Sequence, residues 1–163
     1  MSNLLVQNIK HTNGTSAMTI DSSGRVLTPA RPAFFARATS HVTASGIIVF
    51  DTATYNLGSH YNTSNGKFTC PVAGLYLFNF KCLFNTPDSD SHANLHINGS
   101  NYSGTQGAAF AYGNIGGSAG HYLHNGGSDV VSLSASDAVT IYYTDAGTDL
   151  HHSYTTFSGC LIG

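Results

Sequence analysis

Between Gly74 and Phe80 the chain reads Gly-Leu-Tyr-Leu-Phe-Asn-Phe, and this alternation restricts the possible folds more than any other stretch. Successive side chains of a strand point to opposite faces, so Tyr76, Phe78 and Phe80 share one face. Three rings in line make a face that needs a second layer to cover it. The opposite face carries Leu75, Leu77, Asn79 and Lys81, which is partly apolar and suits a strand inside a two-layer structure better than one beside open water. Asn65-Gly66 predicts a turn just before it, and Lys67–Cys70 a short strand ended by Pro71.

The remaining text is organised the same way. Leu4–Ile9, Ala17–Ile20 and Arg25–Leu27 read as three short strands, with turns at Asn13-Gly14 and Ser22–Gly24. Each is too short to bury its apolar side alone, so this arm needs a neighbour. Pro29 and Pro32 make Thr28–Pro32 a stiff linker. Ile47–Phe50 reads as an apolar run, followed by a Gly/Asn/Ser-rich connection into the Phe68 hairpin. The chain then turns from Phe84 to Asp90. His92–Asn98 ends in the hairpin signal Asn98-Gly99. Gly104–Gly120 reads as a strand of small residues plus a long loop, and Ser128–Ser134, Val139–Tyr143 and Tyr154–Ile162 as further strands. Nowhere do ten residues keep a helical period, so the class is all-β.

With 163 residues there is room for one domain plus an arm. Charged residues make up only 9% and none is glutamate, so solubility rests on Ser, Thr, Asn, Gly, His and Tyr. A formal charge of -2 offers no basic patch, which argues against a nucleic-acid partner. No apolar run is long enough for membrane insertion as a helix. The first residues lack the basic and apolar regions of a secretory signal, so no export by that route is expected. Cys70, Cys82 and Cys160 read as small buried hydrophobes, with a Cys70–Cys82 bridge as the other reading.

Phe50, Asn56, Tyr61, Phe68, Gly74, Tyr76, Phe78 and Phe80 match, at every spacing, the signature of the globular head domain of complement C1q, a tumour necrosis factor-like jelly roll. Phe34–Arg37 resembles that family's first strand, Ser134–Ile141 is similar to its turn into its penultimate strand, with Ser136 where glycine is usual, and Phe157–Gly163 resembles its closing strand. The resemblance covers residues 32–163. It implies a two-sheet antiparallel jelly-roll sandwich whose core includes Phe50, Tyr61, Phe68, Tyr76, Phe78, Phe80 and Phe157. It also implies a homotrimer, with one sheet of each copy lining the threefold axis. Gly14–Val26, within the arm of residues 1–31, resembles leaders of tail-fibre and other virion proteins of marine tailed bacteriophages.

Candidate chemistry is sparse. Gly116–Gly120 has the G-x-S-x-G pattern of serine hydrolases, but no buried strand precedes it and no helix follows, so it reads as a loop. Nine histidines are many for this length. His121 with His124, His92 with His96, and the pair His151-His152 are the groupings open to a metal ion, against a reading as surface polar groups. Several C1q relatives bind calcium through loop carboxylates, which directs attention to Asp88, Asp90, Asp145 and Asp149. These supply only part of the six to eight oxygens calcium takes. No cofactor and no catalytic residue is expected.

The expectation is therefore a non-enzymatic virion structural protein of a tailed bacteriophage, assembled in the host cytoplasm. The trimeric module would project as a short fibre, decoration or adsorption knob that touches a host surface glycan or protein. Leu4, Leu5, Val6, Ile9, Met18, Ile20, Val26 and Leu27 would anchor the arm to another virion protein, and its strand edges could also pair with copies of itself. The alternative is a secreted, soluble C1q-like recognition or signalling protein.

Overall fold

The computed structural model describes residues 5–85, 91–102, 109–113, 122–144 and 148–163. Among them there is no α-helix, and two antiparallel sheets enclose one core, as the jelly-roll reading expects.

The first three strands stand apart from that sandwich. β1 (Asn8–Lys10), β2 (Ser16–Ile20) and β3 (Val26–Leu27) form their own sheet in the order β1-β2-β3. Its turns fall at Gly14 and Gly24, both with positive φ. Asp21 closes the second turn by accepting from the Ser23 and Arg25 amides, each at 2.9 Å, and from Arg25 Nε at 2.7 Å. β1 is shorter than the predicted Leu4–Ile9 strand, because pairing with β2 starts only at Asn8.

One sheet of the sandwich is built on β9 (Gly74–Asn85), which runs five residues beyond the predicted Phe80. One edge of β9 pairs along its whole length with β13 (Tyr122–Leu133). The other edge pairs with β16 (Thr156–Leu161) and then with β15 (Asp149–Leu150). β4 (Ala33–Arg37) and β6 (Thr52–Leu57) complete the order β13-β9-β16-β4-β6. β6 lies where the sequence reads as a connection. Its exposure does not alternate, since the successive residues Thr54 and Tyr55 are both exposed.

The second sheet is built on β14 (Ala138–Thr144), which pairs along one edge with β10 (Ser91–Ile97). Its other edge carries β8 (Lys67–Thr69) and then β5 (Gly46–Ile47), and β7 (Tyr61–Asn62) pairs with β8. β11 (Ser100–Asn101) and β12 (Ala109–Gly113) share the far edge of β10. Asn98 and Gly99 join β10 to β11 with φ of 52° and 82°, the signs a type I′ turn requires.

Between the sheets lie the alternating rings. Phe50, Tyr61, Phe68, Tyr76, Phe78, Phe80 and Phe157 are each 3% exposed or less, joined by Phe34, Phe84, Ile141 and Tyr143. Phe34 stacks on Tyr61 at 4.6 Å between centroids and meets Phe157 edge-on at 5.0 Å, which ties the two layers together. The polar tips are satisfied locally: Tyr76 Oη donates to Val72 O at 2.8 Å, and the Phe50 amide donates to Tyr61 Oη at 3.2 Å. Burial raises the pKa of both phenols. Asn56 earns its place in the signature by clamping Tyr61, donating to its carbonyl at 2.7 Å and accepting from its amide at 3.2 Å.

The three cysteines are free. Cys70 and Cys82 are buried as expected, and there is no bridge between them; burial raises the pKa of Cys82. Cys160 departs from the expectation. It sits half-buried on the outer face of the sheet built on β9, because its partner at that register is the outward Leu77.

Candidate functional site

The register of the six-stranded sheet decides what its outer face presents. Val130, Leu77, Cys160, Ala33 and Leu57 stand in one row across five strands, all apolar. Beside this row lie Leu75 and Ile162, whose amide donates to Leu75 O at 2.8 Å. Leu57, Val130, Leu75 and Ile162 are each between 42% and 47% exposed, a band of uncovered aliphatic surface. The next row is Ser128, Asn79, Ser158, Phe35 and Tyr55, and the one after it brings in Lys81, Thr156 and Arg37. The face therefore grades from apolar to cationic along β9. A contiguous apolar patch on a soluble module marks an interaction surface.

The cavities on this face are shallow. One of about 440 Å³ lies over Asn79, Lys81 and His124–Ser128, and another of about 470 Å³ lies between Phe35, Lys81 and Tyr154.

A second grouping lies where β15 leaves the sheet. Val42 and Leu150 exchange backbone hydrogen bonds of 3.0 Å in both directions, which brings His41 next to the His151-His152 pair. His151 is held by its amide on Leu83 O at 2.8 Å and by Thr155 Oγ1, which donates to its carbonyl at 2.8 Å. The three imidazoles have centroids 4.5, 4.8 and 4.9 Å apart. One ring nitrogen of each lies within 4.8 Å of the others. His41 is exposed and the other two are half-buried. The Ser153 amide donates to His151 Nδ1 at 3.3 Å, while buried His152 Nδ1 has no hydrogen-bond partner. Burial, with the neighbouring His41 and His152 adding repulsion, holds His151 below the ordinary imidazole pKa.

Among the described residues, the other sequence candidates are not gathered into a site. Asp88, Asp90 and Asp145 lie outside the described residues, as do Leu4, His121 and Gly116–Gly120. Asp149 is in strand β15 opposite Asn85, not in a loop. His124 is exposed on β13. His96 stacks on Tyr142 at 4.8 Å, and burial lowers its pKa. In the arm, Leu5 is 93% and Val26 56% exposed, Val6, Ile9, Met18 and Leu27 are exposed as well, and Ile20 is half-buried. Among the described residues no helix is long and apolar enough to cross a membrane.

Residues 33–162 match the family model for the C1q domain. The chain belongs to the C1q domain family. Complement C1q and tumor necrosis factor-related protein 9 of Mus musculus is 54% identical over 33 residues, 20% of this chain and 10% of the relative. The chain spans between 4% and 22% of the length of the curated relatives it matches. Among solved structures, the globular domain of zebrafish complement 1qA superposes with a TM-score of 0.63 at 23% identity, covering 82% of this chain and 98% of that one. Murine APRIL does so with a TM-score of 0.61 at 12% identity, covering 81% and 99%. Likeness at these identities concerns the fold. The C1q match begins one residue after Pro32, so β1–β3 lie outside it.

Proposed function

We propose that this chain is a non-enzymatic, homotrimeric C1q-like presentation module, held on a larger assembly by residues 1–31. The observation that carries this reading is the apolar row from Val130 to Leu57, which closes against equivalent rows when copies meet about a threefold axis. The cationic end of the same face, with Lys81 and Arg37, stays nearer solvent in that arrangement.

The assembly we assign is the particle of a tailed bacteriophage, in which residues 32–163 form a short fibre, decoration or adsorption knob. Three features support it: the virion-leader resemblance of Gly14–Val26, the separate sheet of the arm, and the apolar side chains that sheet leaves uncovered. Strand edges and exposed Leu5, Ile9, Val26 and Leu27 suit pairing with another virion protein. A surface of residues 32–163 would meet a host surface glycan or protein.

A second reading, a released recognition or signalling protein, draws support from the complement names of the matched relatives. Deleting residues 1–31 distinguishes them. The virion reading expects a folded trimer that no longer incorporates into particles. Unchanged incorporation, or recovery of the protein from culture medium instead of from particles, overturns it.

A further inference from the structure

We propose that His41, His151 and His152 form a binding site for one divalent transition-metal ion of the zinc, nickel or copper class. The three nitrogens, each within 4.8 Å of the others, come from two segments remote in sequence. The backbone fixes that approach through the Val42–Leu150 bridge on one side and the His151–Leu83 bond on the other. Only side-chain rotation is then needed to close on an ion. Zinc at about 2.0–2.1 Å from each nitrogen in tetrahedral geometry sets them roughly 3.3 Å apart. Rotation of the exposed His41 ring, and of the stacked His151 and His152 rings out of their 15° arrangement, supplies that closure.

The chemistry of the donors selects the ion. Three imidazoles with no carboxylate in the group suit borderline transition metals and not calcium or magnesium, which take oxygen ligands. His152 Nδ1 is buried with no hydrogen-bond partner, so a bond to metal would satisfy an atom that folding has left unsatisfied. His151 can bind through Nε2 if its proton moves to Nδ1, giving up the long 3.3 Å contact from Ser153. With His41 at the surface, a fourth position remains for water or for a side chain of a partner. Coordination would pin the segment after β4 to the segment between β15 and β16.

The test is titration of the full chain, free of any histidine tag, with zinc, nickel or cobalt and separately with calcium. We expect one transition-metal ion per chain, a rise in Tm, and for cobalt the visible absorption bands of a nitrogen-ligated low-coordinate ion. Calcium should give neither. His41→Gln, at an exposed position, should fold normally and weaken binding at least tenfold, and His151→Gln should do the same; His124→Gln should leave it unchanged. Absence of saturable transition-metal binding up to 1 mM, on the order of a 4 kcal/mol interaction, overturns the proposal. So does binding that survives His41→Gln and His151→Gln unchanged.

Discussion

Individual residues in this chain are chosen by the rings around them. Gly159 of β16 has no room for a side chain: a Cβ there would lie 2.6 Å from two ring carbons of Phe78 and 2.9 Å from Phe34 Cε1. Both rings are held by further aromatic neighbours, so neither can yield cheaply. Gly159→Ala should therefore destabilise by about 1–3 kcal/mol, the usual cost of overpacking, measurable as a lower denaturant midpoint with unchanged slope. Ser136 illustrates the reverse case. Its φ of 75° is left-handed, which explains in backbone terms why glycine is usual at this position of the resembling turn. Asp137, the next residue, does the stitching: it accepts from Asn98 Nδ2 at 2.9 Å and from the Ser134 amide at 2.7 Å.

At the scale of elements, that stitch joins the β10–β11 turn to the start of β14, and Asn98 Oδ1 completes it by accepting from the Ala138 amide at 2.9 Å. The Asn98 side chain first, and then the Ser134 amide, hold the Asp137 carboxyl below its ordinary value of 3.8. A carboxyl depressed by folding contributes stability that is complete above its unfolded pKa and is lost as pH falls through the lower folded value. The protection factors of the Ala138 and Ser134 amides, measured against the intrinsic exchange rate, should thus be steady above about pH 4 and fall below it, and Asp137→Asn should flatten that dependence. Exchange that follows only the intrinsic chemical rate across this range would count against the stitch.

How much of these elements was legible follows from how each is stabilised. β9 announces itself because period-two aromatics fill a core whatever their neighbours do, and β14 does so through Val139, Ile141 and Tyr143. β6 does not, since it is an edge strand with Thr52, Tyr55, Asn56 and Leu57 in no clear alternation, held by its pairing with β4. β15 is two residues long and exists through long-range pairing alone. The histidine cluster was half legible: the His151-His152 pair stands out in the text, but its third member arrives through the Val42–Leu150 bridge, which no local signal encodes. The pair His92 and His96 was legible as sharing a face of β10, and the fold leaves them on separate rows of that strand.

For the whole molecule, the two faces of the six-stranded sheet have different tasks. The inner face holds the protomer together, and the outer apolar row is free in a single copy. Placing a charge in the row should separate these tasks. Val130→Asp, at a position 46% exposed, should leave the far-ultraviolet spectrum and the protomer fold intact while converting a trimer into monomers in sedimentation measurements. A trimer unaffected by both Val130→Asp and Leu75→Asp would mean that a different surface joins the copies. Arm deletion should leave the association state unchanged, because the apolar row lies on the sandwich and not on β1–β3.

Among the described residues, the strands paired with β9 come later in the chain than β9 itself: β13, then β15, then β16. During synthesis both its edges leave the ribosome long before the strands that pair with them, although its inward rings can already meet Phe50 and Phe68. At translation rates of about 5–20 residues per second, the gap between Asn85 and Leu161 lasts on the order of 4–15 s. The nascent protein thus carries a long, sticky, unpaired strand for that interval, and its yield in a foreign host should depend on chaperone supply and growth temperature more than its finished stability suggests.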